Sequence, residues 1–143
     1  MRVFNASLTL ATDEKEPEIS DITTLVADII HSSSVTTGIA LISTPHTTCA
    51  LFVNQSEAAL IDDLKGLVER LIPAGGDRRH VEPRHSPFDR ENTRAHLRSA
   101  LLGQSIMVGV NSGKLALSGF QSVIFAEFDG PRQREVHVQV IGD

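Results

Sequence analysis

Apolar and polar residues alternate over positions 3–11, with Phe4, Ala6 and Leu8 on one side and Val3, Asn5 and Ser7 on the other, which predicts a strand. Residues 19–30 carry apolar side chains at 19, 22, 25, 26, 29 and 30. This spacing predicts a helix, capped by Ser20 or Asp21 and ended by Ser32, Ser33 and Ser34. TGIALIS at 37–43 and the run at 49–53 read as buried strands broken by Pro45. Asn54 with Glu57 suggests a capping box before a helix at about 56–71, striped by Leu60, Ile61, Leu64, Leu67, Val68 and Leu71. Positions 73–88 hold three prolines and adjacent glycines, so they form the longest irregular segment. Ser86 and Pro87 suit the start of a third helix that ends near Leu102, with Gly103 just past it. Strand patterns then recur at 105–110, 115–117, 120–128 and 135–141, with turn residues at 111–113 and 129–131.

Strand, helix, two strands, two helices and a run of strands make an α+β fold, with a mixed or antiparallel sheet and helices packed on one side. A chain of 143 residues fits one domain over 1–143. No apolar run reaches bilayer length, and the alternating N-terminus lacks the continuous stretch of a signal peptide, so the expected compartment is the cytoplasm. The lone Cys49 agrees with a reducing compartment. A net charge of −5 argues against nucleic acid and anionic membrane as partners. One region departs from that balance: Arg78, Arg79, Arg84, Arg90, Arg94 and Arg98 crowd 78–98; guanidinium forks suit phosphate, but for any one of them a solvated helix face or loop, with Asp77, Glu82, Asp89 and Glu91 as partners, is the commoner state.

Six histidines raise the question of a metal. His46 follows Pro45 in the break between two strands, His80 lies in the long irregular segment, and His96 stands four residues after Asn92 on one helix face. Three histidines with an open position would suit zinc or a similar divalent ion. No HExxH or CxxC spacing supports this, so spacing alone favours packed or solvent-facing histidines. Glu127, in VIFAEFDG, shares a strand face with Gln121, Val123 and Phe125, a polar–apolar mixture unusual for a plain exposed surface. Cys49, on a strand, reads as a small buried hydrophobe.

Three segments, TPHTTCALFVNQSEAALIDDLKGLVERLIP, RRHVEPRHSPFDRENTRAHLRSALLGQS and GKLALSGFQSVIFAEFDGPRQREVHVQVIGD, resemble the YjbQ-like family, also described as secondary thiamine-phosphate synthases. The resemblance implies a YjbQ-like α+β sandwich assembled as a homotrimer. It also implies a histidine cluster near a subunit boundary, often holding a metal. Carried over by position, it implies His46, His80 and His96 as metal ligands, His46, Asn92, Gln121 and Glu127 as catalytic residues, and a phosphorylated small molecule as substrate. Arg78 and Arg79 are the expected anion-binding pair. Two stretches depart from the family pattern. Gln55 stands where a glutamate is usual, and Ser118-Gly119-Phe120 where Gly-Thr-Trp is usual; Phe120 keeps an aromatic but loses the indole N–H. The implied reaction joins a pyrimidine carrying a diphosphate to a thiazole phosphate. Two other readings stay open: a metal-dependent hydrolase with Glu127 as base, and a non-enzymatic trimer binding a metal or small anion.

Overall fold

The computed structural model describes residues 1–14, 17–75 and 92–143. Along the chain run β1 (Arg2–Ala11), β2 (Glu18–Asp21), α1 (Thr23–Ser33), β3 (Thr37–Ser43), β4 (Cys49–Asn54) and α2 (Ala58–Leu71). Then follow α3 (Thr93–Leu102), β5 (Ser105–Asn111), β6 (Lys114–Leu115), β7 (Ser122–Glu127) and β8 (Gln133–Gly142). A five-stranded sheet in the order β1-β8-β3-β5-β6 faces a three-stranded sheet in the order β2-β7-β4. All of these pairings are antiparallel.

The five-stranded sheet is covered on one face only, as its alternation requires. In β8, Arg134, Val136, Val138 and Val140 point inward, whereas Glu135 and His137 are exposed. The inward valines meet Val123 and Phe125 of β7, Leu51 of β4, and Ile22, Val26 and Ile30 at the start and along the length of α1 in one buried cluster. The small sheet is covered on both faces, which explains the unbroken apolar run of β7. On its second face Ala50, Ala126 and Phe128 pack with Ala95 of α3 and Val68 of α2. The small side chains at 50, 95 and 126 let α3 approach the sheet closely. Helices therefore lie on the covered side of the five-stranded sheet, α1 against it and α3 behind the small sheet. No described helix is long and apolar enough to cross a membrane.

The helix expected over 19–30 is shorter at its start. Residues 18–21 form β2, with Ile19 opposite Ala126 and Asp21 opposite Ile124. Pairing with β7 overrides a helical spacing that residues 22–30 alone satisfy. Asp21 instead accepts hydrogen bonds from the Thr23 amide (2.9 Å) and hydroxyl (2.5 Å), so the helix begins two residues later. Its end falls where the serines place it, with Ser34 in the left-handed region. At α2, Glu57 is itself the N-cap, accepting from the Ala59 and Leu60 amides, rather than the third residue of a capping box. The expected start of the third helix at 86–87 lies outside the described residues.

Candidate functional site

The polar cluster at the end of the inter-sheet core grows out of strand alternation. Glu127 has the parity of Val123 and Phe125 and therefore points between the sheets; Arg134 has the parity of the buried valines of β8 and points back at it. Glu127 is fully buried and Arg134 nearly so. The guanidinium grips the carboxylate in a fork, with Nε and Nη2 each donating at 2.7 Å to separate oxygens. Thr12 Oγ1 donates to Oε1 at 2.9 Å, while the Cys49 thiol (3.2 Å) and the Asp129 amide (3.3 Å) donate to Oε2. Thr48 Oγ1 accepts from Arg134 at 2.8 Å. Burial pushes the Glu127 carboxyl up, but the hydrogen bonds from Arg134, Cys49 and Thr12 outweigh it and hold the group below its ordinary value. Burial and the neighbouring Glu127 charge push the Cys49 thiol far up, so it stays protonated and is no nucleophile.

This geometry does not suit Glu127 to the expected role of base. Both oxygens are engaged and the group is a weak base walled off from solvent. It acts on its neighbours as a fixed, neutralised charge. Gly130 lets the following turn close over it. A Cβ there would stand 2.5 Å from the Glu14 carbonyl oxygen and 3.1 Å from both Glu127 Cγ and Thr12 Oγ1. Gly130→Ala should therefore lower stability by about 1–3 kcal/mol, measured by urea denaturation; an unchanged midpoint would show that the turn yields freely.

Helix α3 brings its expected residues to the same end. Asn92 Nδ2 donates to Asp129 Oδ2 at 3.0 Å, and Asp129 follows Glu127 by two residues. Asn92 Oδ1 is buried with no hydrogen-bond partner among the described residues. Two turns on, Ser99 Oγ donates to the Cys49 carbonyl at 2.5 Å. His96 lies between them on that face and is partly buried. Arg94 turns elsewhere, pairing with Glu69 of α2 at 3.4 Å. Arg98 is buried, donates to Glu69 and the Ile72 carbonyl, and lies 6.0 Å from the Phe128 ring centre, so it ties α2 to α3.

His46 is partly exposed beside Arg134, and its Nε2 accepts the Glu135 amide hydrogen at 2.9 Å. Desolvation and the Arg134 charge lower its pKa from the usual 6.5, so the ring is neutral at pH 7. Gln104 links this segment to α3, donating to the His46 carbonyl (3.4 Å) and to Ser99 Oγ (3.0 Å). As placed, His46 does not offer Nε2 to a metal, because that lone pair is occupied. The described residues contain no group of three or more His, Cys, Asp or Glu able to hold an ion. His80, Arg78 and Arg79 lie outside the described residues.

Gln121 lies elsewhere. It precedes β7, is exposed, and accepts the Ser118 amide hydrogen at 2.9 Å. From 121 to 127 the strand covers about 20 Å at roughly 3.3 Å per residue. Gln121, the 76% exposed Phe120 and the adjoining Asn54-Gln55 therefore sit at the opposite end of the small sheet from Glu127. Arg134, Thr12, Thr48 and Asp129 had not been singled out from the sequence. The available signal was an arginine in phase with three buried valines.

The family model described as "UPF0047 protein YjbQ-like" matches residues 6–143. This chain belongs to that family. A UPF0047 protein of Archaeoglobus fulgidus is 43% identical over 136 residues, 94% of this chain and 98% of the relative. The UPF0047 protein YugU of Bacillus subtilis is 35% identical over 131 residues, covering 90% and 92%. A YbjQ-like protein of unknown function from Sulfolobus solfataricus superposes with a TM-score of 0.90 at 28% identity, covering 99% of both chains. A YjbQ/UPF0047 protein from Clostridium acetobutylicum gives 0.85 at 33% identity, covering 95% and 99%. These matches establish the YjbQ-like α+β fold expected from the sequence.

Proposed function

We propose that this YjbQ-like protein is a cytoplasmic small-molecule enzyme that acts as a homotrimer on a phosphorylated substrate. The reaction is the one its motifs resemble, joining a pyrimidine diphosphate to a thiazole phosphate with release of pyrophosphate. The observation that supports this reading is the approach of His46 and, through Asp129, of Asn92 to the buried Glu127–Arg134 pair, with His96 one turn beyond Asn92 on the same helix face. Dehydrating such a pair costs several kcal/mol per ion before its own attraction repays it, so it is weak as a device for stability. Fixed in place at the rim of a core, it serves better as a rigid electrostatic base for side chains that meet a charged ligand.

In the reaction, negative charge grows on the departing diphosphate, and the protein's task is to hold two rings together and receive that charge. Arg78 and Arg79 are the proposed anion-binding pair, and Asn92 Oδ1, which has no hydrogen-bond partner among the described residues, could accept an N–H of the pyrimidine. No step is assigned to a metal, since His46 as placed does not suit one. The hydrolase reading loses its base with Glu127. Gln121 supports the trimer reading: one protomer holds it about 20 Å from Glu127 by strand length, so a neighbouring copy would have to bring it to the site.

The test is to supply purified protein with both substrates, with and without magnesium, and to measure thiamine phosphate and pyrophosphate. His96→Ala should lose activity by roughly 100-fold or more while unfolding as a single transition. Product formation no faster than in His96→Ala would reject the transferase reading.

A further inference from the structure

We infer that His46 is a neutral imidazole with its proton on Nδ1, a hydrogen-bond donor to an anionic oxygen of the ligand and not a ligand of any metal this site takes. The choice of oxygen rests on the phosphorylated substrate proposed above; the tautomer does not. It comes from the way the STPH segment replaces a missing step of the sheet. Strand β3 ends at Ser43, which pairs with His137 of β8. The next pair to hydrogen-bond across this ladder, two residues on, would set residue 45 against Glu135, and residue 45 is a proline without an N–H. Side chains take over both bonds there. Thr44 Oγ1 donates to the Glu135 carbonyl at 2.9 Å, and His46 Nε2 accepts from the Glu135 amide at 2.9 Å.

An amide nitrogen has a hydrogen to give and no lone pair to offer, so its partner must be the unprotonated ring nitrogen. The neutral ring then carries its hydrogen on Nδ1. A metal-binding histidine needs the reverse balance: a free lone pair on one nitrogen and an N–H given away by the other. Turning His46 to offer Nε2 would orphan the Glu135 amide. That amide cannot readily follow, since Thr44 Oγ1 holds the Glu135 carbonyl on the other side of the same Cα and also accepts the His46 amide hydrogen at 3.4 Å. Turning over the ring in place would set a carbon against the same amide. Nδ1 has no hydrogen-bond partner among the described residues, and the ring is partly exposed, so its N–H can meet a ligand.

The test uses full-length protein labelled with nitrogen-15 at histidine. Two-bond nitrogen–proton correlation at neutral pH should give His46 the pattern of an Nδ1–H tautomer. Added Zn²⁺ should leave that pattern in place, whichever other histidines respond. Added inorganic pyrophosphate should shift the Nδ1 signal, and His46→Ala should weaken pyrophosphate binding roughly tenfold while changing Zn²⁺ affinity less than twofold. A proton on Nε2, or Zn²⁺ displacing the Glu135 amide, would overturn the inference in the wild-type protein, whether or not the variant folds. So would pyrophosphate binding that neither moves Nδ1 nor depends on His46. Failure of the transferase assay alone would leave these readouts unaffected.

Discussion

Glu127→Ala and Arg134→Ala should each destabilise the protein by about 3–5 kcal/mol, because each leaves the other partner charged and buried. Glu127 is fully buried, and removing it strips Arg134 of both of its short carboxylate contacts. The guanidinium cannot shed its proton to escape. The reverse change leaves a carboxylate that can take up a proton, so Arg134→Ala should be the milder of the two. The double variant should cost less than the sum of the singles, with a coupling of at least about 1 kcal/mol, read from urea denaturation of all four proteins. Strict additivity would mean that the two charges are independently solvated and that the fork is not what holds this end of the core together.

Acid should expose the same pair. The native carboxyl of Glu127 lies below its ordinary 4.5. Its contribution is therefore complete above pH 4.5 and is lost as the pH falls through the lower native value. His46 acts in the same direction in a higher window. Its native pKa is below 6.5, so its contribution begins to fade as the pH drops under 6.5. Glu127→Gln, already without the charge, should lose less stability than the wild type between pH 5 and pH 3, counted from its own value at pH 7. A steeper acid loss in Glu127→Gln would reverse the sign of the linkage.

Much of this was legible in the period-two patterns. Glu127 was placed on the face of Val123 and Phe125, and that face is buried. The strand pattern expected over 120–128 is β7, and its burial on both faces went unread because the alternation drew attention to one face only. Arg134 stood in the same kind of register, in phase with Val136, Val138 and Val140, yet a charge on a valine face can be read as a partner only when its opposite is known. That opposite lies across a turn and on the other sheet, at a distance no local pattern encodes. The start of α1 was misread for a related reason. Ile19 and Ile22 satisfy helical spacing, but Ile19 earns its burial by pairing with β7. Gln121 is a third case. Motif order suggested membership of one site, and a strand's length separates it from that site within the protomer.

That separation gives the prediction with the largest effect on activity. Gln121→Ala should abolish catalysis about as fully as His96→Ala, although Gln121 lies at the far end of β7. Within one chain the two residues belong to different ends of the small sheet, so one substrate cannot span them. In a closed ring of three copies joined head to tail, each site would take His96 from one protomer and Gln121 from the next. Each variant alone then damages every site in its own way. Unfolding the two together and refolding them as mixed trimers would create sites that draw an intact His96 from one partner and an intact Gln121 from the other. Random mixing in equal amounts makes that combination at about one site in four, so activity should recover to about a quarter of the wild type. The unmixed proteins, treated identically, should stay inactive. If mixing restores nothing while light scattering reports intact trimers, the two residues do not meet across a boundary. If Gln121→Ala is fully active by itself, the residue belongs to the turn it caps, through its hydrogen bond with the Ser118 amide, and not to the chemistry.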